Sequence, residues 1–463
     1  MSDQLGSAIP AFQGRVVTPE DGGYDAARKV WNGAIDHRPA IVAQCTDADD
    51  VAAALAFARD RGLEVSVRGG GHNFGGNAVW PDSLVVDLRA INQVTVDPRA
   101  RVARCGGGAR LGELDAATQE HGLATPSGTV SNTGVGGLTL GGGFGWLTHD
   151  HGMSIDNLVS ARMVLADGSF VEASPDENAD LFWAIRGGGG NFGVVTEFRF
   201  ALHPVGPLVH AAMLFWPLAQ GVEALAVMRD TIADLPPGLG GLLGVGLNAP
   251  PAPFVPEQHH LAPGHALLLA GFGAAEEHAA VVDAARSKLP PLFDFVSPMP
   301  YTALQSMLDD AAPPGILAYE RALYLNDMTE GAIEVMAEFS ARKNSPMSFA
   351  PVFRMDGAFS AVPDDATAFG GSRRPAYTVN LACVAPTPDL LGADTAWAQE
   401  YWSALRPFAR DEGSYVNFMV EPDQERIVAA YGPEKYQRLA KIKARYDPEN
   451  VFRHNANIKP ADR

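Results

Sequence analysis

The sequence predicts a mixed α+β protein built as two domains, and three observations carry that reading. The chain has 463 residues, enough for two hydrophobic cores. Residues 39–68 alternate a short apolar run, a helical run and a second apolar run, the signature of a β-α-β unit. Beyond residues 203–207, "HPVGP", glycine clusters become rare, and helix-like stretches alternate with short apolar runs up to residue 410.

In the first half, "AIVAQC" is the opening strand of the unit. "TDADDVAAALAFARDRG" follows as a helix capped by Thr46 and stopped by Gly62. "LEVSVR" is the next strand and delivers the chain into Gly69–Gly71. "SLVVDL" and "RVARCG" read as strands, and "ARLGELDAATQEHG" as a helix ending near Gly122. Residues 123–158 are dense in Gly, Ser and Thr and follow neither period, so an irregular stretch wrapped around a ligand is expected there. "VSARMVLADGSFVEA" is a hairpin turning at Asp167-Gly168.

In the second half, "GVEALAVMRDTIADL", "EEHAAVVDAARSKL" and "GAIEVMAEFSARK" have helical spacing, and "ALLLAGFG" and "YTVNLACVAP" read as strands. Proline-rich residues 235–256 and 311–315 are expected as loops or lid. One helix is expected near 424–445, followed by an Asp447-Pro448 turn.

Composition narrows the class. Hydrophobic residues make up 46% and charged residues 19%, values of a soluble globular chain. The N-terminal "MSDQLGSAIPAFQG" has no basic start followed by an apolar core, and no stretch is apolar enough to span a bilayer. Three cysteines make no disulfide framework, so a cytoplasmic location is expected. A formal net charge of -19 argues against nucleic acid or an anionic membrane as partner. A small-molecule substrate remains, and composition leaves the oligomeric state open.

The 49 glycines cluster. "GGGGNFG" satisfies G-x-G-x-x-G at Gly188, Gly190 and Gly193, but "VVTEFRF" follows as a strand where a dinucleotide fingerprint needs a helix. No P-loop pattern exists. "RGGGHN" is different: it ends the β-α-β unit, and consecutive glycines let successive amides converge on a pyrophosphate. Further glycine-rich stretches at 128–145 and 187–193 favour a ligand over a plain turn. His149 and His151 in "THDHG" lack a third ligand, so a polar loop and no metal is the expectation.

"SVRGGGHN", "GVGGLTLGGGFGWL", "DLFWAIRGGGGNFGVVT", "YVN" and "YDPENVFRHNANI", in that order, resemble the berberine-bridge-enzyme-like branch of the vanillyl-alcohol-oxidase flavoproteins. The resemblance covers most of residues 35–205 and 412–463. It implies a two-part FAD-binding domain, residues 1–205 and 412–463, with an inserted substrate domain, residues 206–411, made of an antiparallel sheet and helices. It implies FAD bonded covalently to His72 through the 8α-methyl carbon, beside Arg68, Gly69, Gly70, Gly71 and Asn73. Further cofactor contacts are implied at Gly128, Thr129, Gly134, Gly137 and Leu138, then at Gly142, Gly143, Gly145 and Val195, and finally at Asn417, Asn455 and Asn457.

Many members carry a second tether, a cysteine in a motif like "G-x-C-x-T-x-G-x-G-G". Here "GTVSNTGVGG" puts Val130 at that position, so a single covalent link is expected. Bacterial singly histidine-linked members look closest, among them the enterocin-polyketide flavin oxygenase. The implied activity is oxidation of an alcohol, phenol or polyketide-like hydroxyl compound with O2. An N5-oxide-type oxygenase, a dehydrogenase with poor O2 reactivity and a flavin carrier without turnover are the alternatives. Tyr415 in "YVN" is the candidate base. Thr133 is either the small residue that leaves room for dioxygen or a turn residue. Tyr377 is expected on a strand facing the ring, and Arg354 with Asp356 is either a site pair or a solvated ion pair.

Overall fold

The computed structural model describes residues 9–311, 313–411, 413–420 and 423–462. The first residues, read above for a leader, lie outside that range, as does position 312 within the proline-rich 311–315 stretch.

A four-stranded sheet runs in the order Arg15–Val17, Ile41–Gln44, Leu84–Asp87, Val65–Arg68. The last three strands are parallel, and the Ala48–Arg61 helix makes the crossover. Asp47, not Thr46, caps that helix, its carboxylate accepting from Asp50 N–H at 2.9 Å. Thr46 is displaced because its hydroxyl donates to Asp50 Oδ2 at 2.7 Å. Gly62 ends the helix in the left-handed conformation, φ 64°.

A five-stranded antiparallel sheet follows, ordered Val94–Asp97, Val102–Gly106, Val194–Ala201, Leu158–Val164, Phe170–Ala173. It contains the expected hairpin, and Val194–Ala201 is the strand that ruled out a dinucleotide fingerprint. The stretch expected to be irregular holds a short helix, Val135–Gly141. Its glycines hid it: a Cβ at Gly141 would stand 2.2 Å from Asn417 Oδ1, so close packing dictates the composition there.

Residues 208–385 form a seven-stranded antiparallel sheet, ordered Phe293–Pro300, Leu208–Pro217, Pro263–Gly271, Leu239–Asn248, Ala350–Met355, Ala376–Ala385, Leu317–Leu325. Leu239–Asn248 corrects the loop expected over 235–256. Its Gly240 faces Trp146 O, which a Cβ would approach to 2.0 Å, so a central strand reads as turn-like. Helices Gly221–Ala233, Ala275–Lys288, Glu330–Ser340 and Pro388–Leu405 cover one face and close a core around Trp216, Leu267 and Val379.

The chain then returns to the first half: Ile427, Tyr431 and Leu439 share a core with Phe198 and Phe200. The single helix expected near 424–445 is two, Gln424–Tyr431 and Pro433–Tyr446, broken at Gly432, φ 74°. Lys443 is fully buried and paired to Asp447 at 2.6 Å. It also donates to Asn191 O (2.6 Å) and Phe452 O (2.9 Å), while Asp447 accepts from Val451 and Phe452 N–H. That network is why "YDPENVF" makes a fixed turn rather than a free tail. Among the described residues no helix is long and apolar enough to cross a membrane.

Candidate active site

A cavity of about 430 Å³ runs between the glycine-rich loops and the uncovered face of the seven-stranded sheet. Its size is that of a small-molecule or cofactor site. One wall begins where the Val65–Arg68 strand ends. Gly69, Gly70, Gly71, His72 and Asn73 line it. Gly70 meets Gly134 so closely that a Cβ on Gly70 would stand 2.3 Å from Gly134 N. Two loops far apart in the chain approach backbone to backbone, which only glycine permits. Among the described residues, the Gly69, Gly70 and Gly71 amides donate no hydrogen bond within the chain. Unspent amides on a concave wall are the chemistry of an anion cradle.

His72 is held by two neighbours. Its ring stacks on Trp31 with centroids 4.5 Å apart, and Nε2 donates to Asn132 Oδ1 at 2.8 Å. Burial lowers its pKa to about 4, so the ring is neutral. With hydrogen on Nε2, the lone pair sits on Nδ1. Val130, Thr129, Thr133, Gly134, Gly137 and Leu138 continue the wall. Cys45, Cys105 and Cys383 are free, buried and elsewhere, so no thiol reaches the position of Val130. Gly128, Val195, Asn417 and Asn455 also line the cavity. Asn455 donates to Gly190 O at 3.1 Å and keeps a buried, unpartnered Oδ1.

Several expected residues do not reach it. Arg68 is 1% exposed, and its guanidinium is committed to Asp87 at 2.5 Å. Gly142, Gly143 and Gly145 form a second layer behind the wall. Gly142 packs on Met153 and Tyr415, Gly143 N–H donates to the Tyr415 hydroxyl, and Gly145 N–H donates to Thr148 Oγ1. Asn457 lies off the cavity.

Tyr377 is corrected for a simpler reason. Alternation on its strand sends Tyr377, Val379, Leu381 and Cys383 into the helix-side core, while Asn380, Ala382 and Val384 face the cavity. Arg354 and Asp356 form a partly buried triad with His149, at 2.8 and 2.7 Å, off this cavity. The hydrogen bond to Asp356 raises the His149 pKa. His151 stacks on His203 with centroids 3.8 Å apart.

Tyr415 lies on the cavity, but its setting is not that of a base. Its hydroxyl oxygen accepts from Gly143 N–H and Asn417 Nδ2, both at 2.8 Å. Burial pushes its phenol far above the usual range, so it stays protonated and has a hydrogen to donate.

Among the cavity residues the sequence reading missed Trp31, Glu320 and Asn380, and it also missed Asn132, which bonds to His72 without lining the cavity. Asn132 stood in the quoted "SNTG". Glu320 was signalled only as an acid, beside Arg321, inside a mostly apolar strand, "LAYERALYL".

Chain comparisons agree with this geometry. Residues 39–174 match the family model described as FAD binding domain, and 414–459 match the one described as berberine and berberine like. (R)-6-hydroxynicotine oxidase of Paenarthrobacter nicotinovorans is 32% identical over 482 residues, covering 99% of each chain. The crystal structure of 6-hydroxy-D-nicotine oxidase from Arthrobacter nicotinovorans superposes with TM-score 0.86 at 28% identity, covering 99% of this chain and 100% of the other. Glucooligosaccharide oxidase from Acremonium strictum, described with a 6-S-cysteinyl, 8α-N1-histidyl FAD, superposes with TM-score 0.84 at 25% identity, covering 97% of this chain and 98% of the other.

The fold and the cavity thus define an FAD-dependent oxidoreductase. Within that class, the chain belongs to the berberine-like branch of the vanillyl-alcohol-oxidase flavoproteins. The residues fit the cofactor: unspent amides at Gly69–Gly71, open space beside Gly137 with nothing within 4 Å of an added Cβ, and the unpartnered Asn455 Oδ1.

Proposed function

We propose that the protein is an oxidase that holds FAD by one covalent bond to His72, oxidises a small organic compound and passes the electrons to dioxygen. The observation that carries this reading is the His72 ring. It is neutral, stacked on Trp31 and fixed through Nε2 by Asn132, on a cavity wall where Val130 offers no second tether. Bound FAD supplies a two-electron acceptor. The chain's own residues bind and orient. The Gly69–Gly71 amides take the pyrophosphate, Trp31 and Asn132 aim His72, and Tyr415 directs its O–H into the cavity while Gly143 and Asn417 hold its oxygen.

Residues 1–205 and 412–463 act as the FAD-binding part and 206–411 as the substrate part, a division supported by the core that 427–439 share with 198–200. The small Thr133 side chain on the wall supports access for dioxygen. Anaerobic reduction followed by air separates the readings. Rapid return of the oxidised spectrum supports the oxidase, and slow return identifies a dehydrogenase. An aerobic resting spectrum unlike ordinary oxidised flavin identifies the oxygenase. Mass spectrometry of the peptide carrying His72 tests the tether: the peptide should carry the mass of FAD, and an unmodified peptide from flavin-loaded protein overturns it.

A further inference from the structure

With Tyr415 held protonated, the cavity needs another group to take a proton from substrate. The seven-stranded sheet supplies a carboxyl there. Glu320 lies on the edge strand Leu317–Leu325, paired in register with Ala382 of the neighbouring strand, and Asn380 pairs with Ala322. Alternation turns both Glu320 and Asn380 toward the cavity, where they are 3% and 5% exposed. Asn380 Nδ2 donates to Glu320 Oε2 at 2.9 Å. That is the only hydrogen bond Glu320 makes among the described residues. Asn380 Oδ1 is buried with no partner at all. The pair therefore presents an unspent carboxyl oxygen and an unspent amide oxygen on the wall, two acceptors with no donor from the chain. Buried polar atoms are nearly always satisfied, so the orphaned Asn380 Oδ1 beside the Glu320 carboxyl marks a place where a ligand supplies a donor.

We propose that Glu320 is the catalytic base, positioned by Asn380, for a compact apolar substrate that carries one hydroxyl or amino donor beside the carbon to be oxidised. The inference rests on the oxidase reading above. The substrate class follows from the walls. Phe144, Leu242, Phe349, Pro351 and Phe353 line the same cavity, and beside Glu320 and Asn380 its polar groups include Tyr415 and Asn417, which are hydrogen-bonded to one another. A saccharide presents several hydroxyls that such walls would leave unpaired, whereas a ring compound with one donor leaves none.

The reaction balances as follows. The substrate's O–H or N–H proton moves to the free oxygen of the Glu320 carboxylate. A hydride, carrying two electrons, leaves the adjacent carbon for the flavin, and a C=O or C=N bond forms. Dioxygen then takes the two electrons and two protons, one of them from Glu320, giving hydrogen peroxide and restoring the carboxylate.

Burial, opposed in part by the hydrogen bond from Asn380, pushes the Glu320 carboxyl up to about 8. The titratable groups that feel its charge are Tyr415, from the C-terminal segment, and Cys383, from the adjacent strand. Burial holds both protonated. No cation contributes to the shift. A base with its affinity for protons near working pH is matched to catalysis.

The test uses the flavin-loaded protein. A panel of cyclic amines, benzylic alcohols, phenols and cellobiose is screened for anaerobic bleaching of the flavin. The best compound is then followed by stopped flow across pH. The wild type should bleach with an apolar single-donor compound, with a rate rising through a single ionisation near the Glu320 value. Glu320→Gln should keep its flavin content and spectrum yet lose roughly 100-fold or more in bleaching rate, together with the pH limb. Asn380→Ala should keep a limb but move it and slow the plateau. Infrared spectra of the substrate-free protein should show a carboxylic C=O band that titrates near that value and is missing in Glu320→Gln. Bleaching at wild-type rate by Glu320→Gln overturns Glu320 as base and leaves the oxidase reading standing. Cellobiose as the best reductant overturns the substrate class. A wild type that no compound bleaches overturns both proposals.

Discussion

Replacing Glu320 by Gln should stabilise the protein, and increasingly so as pH rises. The carboxyl ordinarily titrates at 4.5 and in the fold at about 8. The folded chain thus holds its proton more tightly than the unfolded chain, so the folded state binds more protons between those two values. Stability from this group is complete below the unfolded value, falls as pH climbs through the window, and levels off above the folded value. At about 1.4 kcal/mol for each tenfold change in proton affinity, the ionised side chain costs the fold on the order of 5 kcal/mol above that window. Gln keeps the acceptor for Asn380 Nδ2 without the charge. Urea unfolding of both proteins at about pH 5 and about pH 8.5 measures the difference. Burial also raises Asp115, to about 7, but it is present in both proteins and cancels. A stability difference that is the same at both pH values refutes the assignment of a buried, uncompensated carboxyl to this wall.

Other outcomes follow from the same geometry. Lys443→Met should cost about 3–5 kcal/mol in unfolding free energy, because it leaves the fully buried Asp447 without its partner. Gly70→Ala should abolish flavin incorporation, read as the ratio of flavin to protein absorbance, because its Cβ would meet Gly134 N at 2.3 Å. Tyr415→Phe should lose about 1–3 kcal/mol of stability by stranding the buried Gly143 N–H, while retaining covalent flavin on a denaturing gel. Asn132→Ala should slow attachment of flavin to His72, visible as a reduced fluorescent band after timed addition of FAD to flavin-free protein.

What was legible in the sequence was local. The β-α-β unit, the Asp167-Gly168 hairpin and the strand after "GGGGNFG" each follow from periods of a few residues, and each is present. What was misread was set by distant partners. Gly240 sits in a central strand because Trp146 O presses on it, and Gly141 sits in a helix because Asn417 does. In both places tertiary packing, not turn chemistry, selected glycine. Tyr377 was misplaced by the parity of a single residue, since the strand that sends it into the helix-side core sends Asn380 into the cavity. Glu320 and Asn380 become a pair only when Leu317–Leu325 aligns beside Ala376–Ala385, a register that no run of either strand announces. His72 stood out because it sits within the glycine loop that lines the cavity. Trp31 and Asn132, which contact it, come from distant segments of the chain.

The central claim, that His72 alone tethers the flavin, is tested most directly by acid precipitation of the purified protein. The wild-type pellet should stay yellow and the His72→Ala pellet should be white, with its colour released to the supernatant. A white wild-type pellet, or a yellow His72→Ala pellet, contradicts the account.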